Sequence, residues 1–395
     1  MRDVAVVGGG PAGLLAGTLL ARQGHDVALF EEHESFGAPV HCAGVLSADT
    51  FEEFGIGREP VLNGLAGARF HSPSGAVVSF RSDTVEAVAV DRRQFDHHLE
   101  LQARAAGVSM LTGVRVQRIE TRRSSVVLHL AGCPPVRSRA VVLACGAHYG
   151  LQRALGLGLP PRFLQSALAE FPAHEDDEVE VHFGSGIAPG GFGWVIPVRR
   201  PEGPRARVGL MCKGEATTCF GALLRNVCAR WGIDVAEASD ARPRVRMLPL
   251  APIARTFSDR LVAVGDAAGL VKATTGGGVY YSLVSATIAA TVLDEALRRD
   301  RLDAIALGRY ERMWRQRLGP ELDAQLALRR LADDFTDARI ESLFELARTD
   351  GIIPLMRRTA RFNEHRHFIL ALLRHPPARR VVFNRLVGGE ERPGR

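Results

Sequence analysis

The chain has 395 residues, of which 46% are hydrophobic, 24% charged and 6% aromatic, with a net charge of +6. That length holds two to three domains and a large core, and the composition excludes a disordered, fibrous or repeat protein. The charge is uneven: residues 298–395 carry 21 Arg against 14 Asp and Glu, so the basic excess lies in the last quarter.

Val4–Val7 is a short apolar run of the kind that forms a buried strand. Gly8-x-Gly10-x-x-Gly13 follows, then a helical pattern from Leu14 to Arg22 that stops at Gly24. Val27–Phe30 reads as a second strand, ending on Glu31. Asp91–Ala106 reads as a helix, and short strands alternate from Val108 to Leu143. Residues 60–90 and 165–215 alternate like strands around turns such as "SPSG" and "PEGP", which predicts a second, antiparallel sheet. "RLVAVGDAAG" is another buried strand with a turn, and from Gly277 the pattern stays helical almost to the end. The expected domains are 1–60, 91–160 and 253–297 for the first, discontinuous one and 61–90 with 161–252 for the inserted sheet, followed by a helical region over 298–395.

Two features resemble targeting or membrane signals and are discounted. Met1-Arg2 and the apolar run imitate a secretory leader, but Gly8-Gly9-Gly10-Pro11 breaks it where a helix should continue. Tyr280–Leu293 is too short to span a bilayer and meets Asp294 and Glu295. The six cysteines show no CxxC and no metal-ligand spacing, so they read as reduced thiols in a cytoplasmic protein and no metal is expected. His365 and His367 lie two apart and cannot share a helix face.

The glycine motif carries chemistry because of its context. Gly8 permits a tight turn, Gly10 lets the backbone approach a pyrophosphate, and Gly13 lets helix and strand pack closely. The helix N-terminus then offers free N–H groups and a partial positive charge. Glu31, 18 residues past Gly13, is placed to accept a ribose hydroxyl and repel a 2′-phosphate, which favours FAD or NAD over NADP. A second stretch, "GDAAGLVKATTGGGVYY" at 265–281, supplies Gly265-Asp266 and the glycines 276–278. NAD needs no second distant site, whereas the longer FAD reaches one. Asp266 suits the ribityl or phosphate region, and Gly277 and Gly278 open a helix whose amides would stabilise the negative charge of a reduced flavin. FAD is therefore the expected cofactor, in an α/β fold with a discontinuous Rossmann-like FAD-binding domain, an inserted antiparallel β-sheet domain and a helical C-terminal region.

"GDAAGLVKATTGGGVYYSLVSA", "GGFGWVIP" (190–197) and "GAPVHCAGVLS" (37–47) resemble the geranylgeranyl reductase family, flavoproteins of the p-hydroxybenzoate hydroxylase fold class. The resemblance runs from residue 1 to about residue 300. It implies that Ala12 and Glu31 touch FAD, that Cys42, Ala43 and Val45 run beside the flavin, and that Arg92 and Val116 also contact the cofactor. Asp266, Gly278 and Val279 match ribityl and ring contacts, and Phe192 and Trp194 would wall a prenyl cavity. Three positions depart from the pattern: Ile196 stands for Phe, Ala273 for Pro, and Cys145 for the Asp of an Asp-Gly pair. That last change weighs against direct reduction by NADPH.

The resemblance implies reduction of C=C bonds in prenyl chains of a lipid or quinone by hydride from reduced flavin. An isolated alkene is a poor hydride acceptor, so the site needs an apolar tunnel, exclusion of water and a nearby acid. The candidates for the acid are Cys42 with its neighbour His41, Tyr280 and Tyr281. His41 itself reads first as a structural histidine, and Lys272, one of only two lysines with Lys213, as a surface residue. Two other functions remain open: a flavin monooxygenase or hydroxylase of an aromatic or lipid substrate, and a non-redox flavin-binding cyclase or binding protein. A halogenase would need a lysine that "GGFGWVIP" lacks. The electron donor is ferredoxin or reduced nicotinamide, undecided between them. "HFILALLRHPPARRVVFNRL" reads either as amphipathic helices resting on an anionic membrane or as helices packed on the flavin domain. No nucleic-acid partner is expected, and the location is cytoplasmic, with possible peripheral contact at the membrane.

Overall fold

The computed structural model describes residues 1–349 and 351–383 and divides into two units. The first comprises residues 1–64, 87–166 and 244–326. Its central sheet runs in the order Phe257–Ser258, Leu261–Ala263, Cys133–Leu143, Arg2–Val7, Val27–Phe30, Ser109–Leu111. Every neighbouring pair in that order is parallel except the first. Val4 to Val7, Val27 to Phe30, Ala140 to Leu143 and Leu261 to Ala263 are all buried, as expected for strands covered on both faces. Val116–Thr121 and Val126–Leu130 extend the sheet as an antiparallel arm paired to the start of Cys133–Leu143.

The first helix spans Pro11–Arg22, three residues earlier than its apolar pattern suggests, because Pro11 suits the opening turn. The helix Arg92–Ala105 is capped by Asp91, whose carboxylate accepts the N–H groups of Arg93 at 2.8 Å and Gln94 at 3.2 Å. Val45–Ser47, Ala87–Val90 and Val61–Leu65 form a small three-stranded sheet that the sequence pattern did not distinguish.

The C-terminal region is not a body of its own. Up to Leu326 it belongs to the first unit. Helix Ala304–Ala332 is keyed there by Tyr310, whose hydroxyl donates to the Ala263 carbonyl at 2.7 Å, and by Trp314, whose Nε1 donates to Thr256 Oγ1 at 2.9 Å.

The second unit comprises residues 65–86, 167–243 and, among the described residues, 327–349 and 351–383. Its sheet contains Gly203–Cys212, Phe192–Arg200, Glu178–His182, Gly67–His71 and Val77–Arg81 in that order. The pairing is antiparallel as predicted, with one exception: Gly67–His71 and Glu178–His182 run parallel. Helix Ala216–Trp231 covers this sheet, with Phe220, Leu223, Val227 and Trp231 buried among Val195, Val208 and Leu210. Helices Asp337–Thr349, Ile352–Thr359, Arg366–Arg374 and Pro376–Phe383 also belong to the unit. Residues 384–386 of the "HFILALLRHPPARRVVFNRL" stretch lie outside the described residues.

Candidate functional site

The glycines of the first turn separate by what surrounds them. Gly8 has φ +106°, and a β-carbon there would lie 2.3 Å from the Ala144 carbonyl oxygen. A β-carbon on Gly13 would lie 2.0 Å from the Gly8 carbonyl oxygen. Gly10 differs: its backbone is extended, and nothing lies within 4 Å of its β-position. The chain's own packing therefore requires two of the three glycines, and the third faces open space. No side chain caps Gly10, so the first-turn amides of helix Pro11–Arg22, those of Ala12 and Gly13 among them, have no partner within the helix. Glu31, nearly buried, latches the turn: Oε2 accepts the Gly9 N–H at 2.6 Å, and Oε1 accepts the His33 N–H at 2.9 Å.

Cys42 lies in the loop after this turn, where its Sγ accepts the Gly44 N–H at 3.3 Å. Ala43 follows, and Val45 opens the strand that pairs with Ala87–Val90. Arg92 makes a forked pair with Asp96, Nε to Oδ1 at 3.1 Å and one terminal nitrogen to both oxygens at 2.9 Å. Burial alone would weaken this guanidinium, but Asp96 and the Cys42 thiol together hold it above its ordinary range. Val116 is buried at the start of its strand.

The second stretch meets the first. Gly265 has φ +57°, and its β-position lies 2.5 Å from Ser282 Oγ and 3.3 Å from Ala12 Cβ. The N-terminal turns of helices Pro11–Arg22 and Val279–Arg298 thus converge on one glycine. The β-position of Gly278 lies 2.6 Å from Asp266 Oδ1, so the carboxylate occupies the space a side chain would take. Burial pushes the Asp266 carboxyl up to about 6, opposed by the charge of Arg92. The turn is closed by Lys272 N–H to the Gly277 carbonyl at 3.1 Å and Gly276 N–H to the Lys272 carbonyl at 2.8 Å. From behind, the Tyr149 hydroxyl donates to the Asp266 carbonyl at 2.5 Å and Gln152 donates to the Ala267 carbonyl at 3.1 Å. Gln152 also reaches Cys145 Sγ at 3.4 Å, and burial pushes that thiol up to about 11.

Tyr280 and Tyr281 open helix Val279–Arg298, and both are buried. The Tyr280 hydroxyl accepts from Arg317 at 3.2 Å, and that of Tyr281 accepts from Gln325 at 3.0 Å. Burial, with Glu53 beside it, raises the Tyr280 phenol. Both hydroxyls are therefore engaged by helix Ala304–Ala332. Lys272 corrects its surface reading. It is 3% exposed, its Nζ sits 5.8 Å from the centre of the Tyr281 ring, and burial pushes its ammonium down to about 7 against the charges of Glu321 and Asp49. A lone lysine between Val271 and Ala273 was the only trace of this in the sequence.

His41 Nε2 accepts from Arg246 at 2.7 Å. Burial, Arg246, Arg244 and His33 push it down to about 4, so the ring is neutral with its proton on Nδ1. That Nδ1 is buried without a hydrogen-bond partner, next to Cys42. Phe192 and Trp194 lie in the second unit on strand Phe192–Arg200, their ring centres 5.8 Å apart.

The second unit also buries His71, Glu180 and His182 with their ligand-capable atoms within 4.8 Å of one another. The two rings stack at 4.4 Å with their planes 9° apart. Glu180 is already paired with Arg230 at 3.1 Å and Arg69 at 3.4 Å, an arrangement that opposes a divalent cation.

Comparison with known proteins bears on the fold and the family. Residues 6–49 match the family model of the NAD(P)-binding Rossmann-like domain. Digeranylgeranylglycerophospholipid reductase 2 of Methanothermobacter thermautotrophicus is 33% identical over 354 residues, 86% of this chain and 90% of the relative. The digeranylgeranylglycerophospholipid reductase of Methanocaldococcus jannaschii is 30% identical over 87% of this chain and 90% of its own. A geranylgeranyl bacteriochlorophyll reductase-like protein from Thermoplasma acidophilum superposes with a TM-score of 0.82, covering 97% of this chain and 98% of that one at 22% identity, and so shares the fold. Likeness of this extent, spanning nearly the whole of each chain, places the protein in the geranylgeranyl reductase family.

Proposed function

We propose that the protein is an FAD-dependent reductase that saturates C=C bonds in the geranylgeranyl-type chains of a lipid. The observation that carries this reading is the open Gly10 turn set against the Asp266–Gly278 turn, joined through Gly265 and Ala12. Such a double cradle fits a flavin dinucleotide, and the orphaned His41 Nδ1–H supplies a further donor to it. The reductases named above provide the substrate class.

FAD, when bound and reduced, supplies a hydride. The rest falls to the chain. The amides of Ala12 and Gly13 receive the pyrophosphate, and Glu31 takes a ribose hydroxyl with the lone pairs its latch leaves free. Ala43, Val45 and Val116 line the cofactor, with Arg92 holding the Cys42 loop in register. Asp266, Gly277, Gly278 and Val279 hold the ribityl and ring end. Cys42 Sγ, beside the Arg92 guanidinium, gives the alkene its proton. Tyr280 and Tyr281 shape the apolar side of the site and exclude water. Phe192 and Trp194 give the second unit an aromatic surface suited to an isoprenoid chain. Electrons come from ferredoxin or a reduced nicotinamide. Arg357, Arg358, Arg361, Arg366, Arg374, Arg379 and Arg380 are all exposed, and residues 351–383 hold a single acid, Glu364, a charge balance that suits a peripheral contact with an anionic membrane.

The test is anaerobic. Photoreduced holoprotein mixed with a digeranylgeranyl lipid should regain oxidised-flavin absorbance while the lipid gains mass in steps of about two hydrogens, and Cys42→Ala should slow this at least about tenfold. Reoxidation that requires oxygen and hydroxylates the product would replace the reductase with a monooxygenase.

A further inference from the structure

We propose that Lys272 is the redox-linked proton carrier of the cofactor cradle, binding a proton when the flavin is reduced and releasing it when the flavin is oxidised. The proposal rests on the flavoprotein reading and goes beyond it, because it assigns a role to a side chain that none of the expected contacts includes.

The geometry is specific. Lys272 closes the glycine turn with its own backbone, bonded to Gly277 at 3.1 Å and Gly276 at 2.8 Å. Its Cδ lies 3.7 Å from the β-position of Gly277, so the stem runs directly behind the turn that opens helix Val279–Arg298. The head group is buried against the face of Tyr281. The charges facing it are Glu321 of helix Ala304–Ala332 and Asp49 beside helix Thr50–Glu53. Asp49 is held by Ser47, and Glu321 receives Gln325, which also ties down the Tyr281 hydroxyl. Glu53 and Arg317 engage the neighbouring Tyr280, and Asp266 faces Gly278 on the other side of the turn.

A cation buried this deeply is poised between its two forms: at about 7, burial has brought the lysine close to working pH. An added negative charge on the far side of the glycines favours the ammonium, and removing that charge favours the amine. Reduction then takes two electrons from an external reductant and two protons from solvent. One proton goes to the flavin, and the second converts the Lys272 amine to an ammonium. Oxidation by the alkene returns the amine, and the released proton stays at the site's end of the chain, available to recharge the acid that protonates the product.

The experiment uses FAD-loaded full-length protein. The flavin midpoint potential is measured against pH by dithionite titration with indicator dyes, for wild type, Lys272→Met and Lys272→Arg. Above pH 7 the wild-type potential should fall about twice as steeply with pH as that of either variant, because two electrons are then accompanied by two protons instead of one. Lys272→Arg, charged throughout, should lie at a higher potential than Lys272→Met. Proton uptake by unbuffered wild type, read with a pH indicator during reduction near pH 8, should exceed that of the variants by one proton per flavin, and a wild-type uptake of two supports the proposal even where a variant folds poorly. Equal slopes with a wild-type uptake of one proton overturn it and leave the cofactor reading intact. A wild-type protein that takes up no FAD overturns both.

Discussion

Gly10 and Gly13 are three residues apart and chemically identical, yet the space around them gives opposite expectations. Gly13→Ala drives a β-carbon to 2.0 Å from a backbone oxygen, so strand and helix must separate. The cost should be at least about 3 kcal/mol, seen in thermal unfolding of the apoprotein. Gly10→Ala meets nothing, and its extended backbone suits alanine. The apoprotein should therefore unfold within about 1 kcal/mol of wild type while FAD affinity falls at least about tenfold, measured by flavin release on dilution. The packing role of Gly13 was legible in the sequence because the motif is local: strand, turn and helix sit within thirty residues. Lys272 was not legible. The charges that face it come from helix Ala304–Ala332 and from Asp49, neighbours about 50 and 220 positions away that no local pattern announces.

The longer strands were read as strands, but their partners followed from longer-range topology. The parallel pairing of Gly67–His71 with Glu178–His182 aligns Arg69 with Glu180 and His71 with His182 on one face. The result is a fully buried carboxylate surrounded by His182, His71, Trp231, Arg230 and Arg69. Burial alone would raise Glu180, yet these partners hold it well below the usual carboxylate range. A depressed acid stabilises the fold above its unfolded value, about pH 4.3, and that contribution is lost as pH falls through the folded value. Glu180→Gln should cost about 3 kcal/mol at pH 7 in denaturant titration, and the gap to wild type should narrow below about pH 4. The three-stranded sheet of Val45–Ser47, Ala87–Val90 and Val61–Leu65 escaped the sequence reading for the same reason, since two of its strands are only three and four residues long.

Across the whole molecule, the order of a dinucleotide-type unit, an inserted sheet and a return was legible in the spacing of glycines and apolar runs. The fate of the C-terminal quarter was not, because an amphipathic helix does not name the surface it covers. Tyr310 and Trp314 commit one part of it to the first unit, while the arginine-rich helices belong to the second. Among the described residues no helix is long and apolar enough to cross a membrane. Wild type should float with liposomes containing anionic lipid and much less with neutral ones, and the difference should shrink in salt of about 1 M. Substituting Arg357, Arg358, Arg379 and Arg380 together by alanine should abolish most of the anionic preference, whereas unchanged flotation would discard the membrane contact.

The Glu31 latch has a thermodynamic consequence. Because one carboxylate grips both the Gly9 and His33 amides, the chain's own hydrogen bonds fix the shape of the loop. Loading then spends little of its gain on freezing the loop, so calorimetry should find a heat-capacity change accounted for by the ligand's own dehydrated surface.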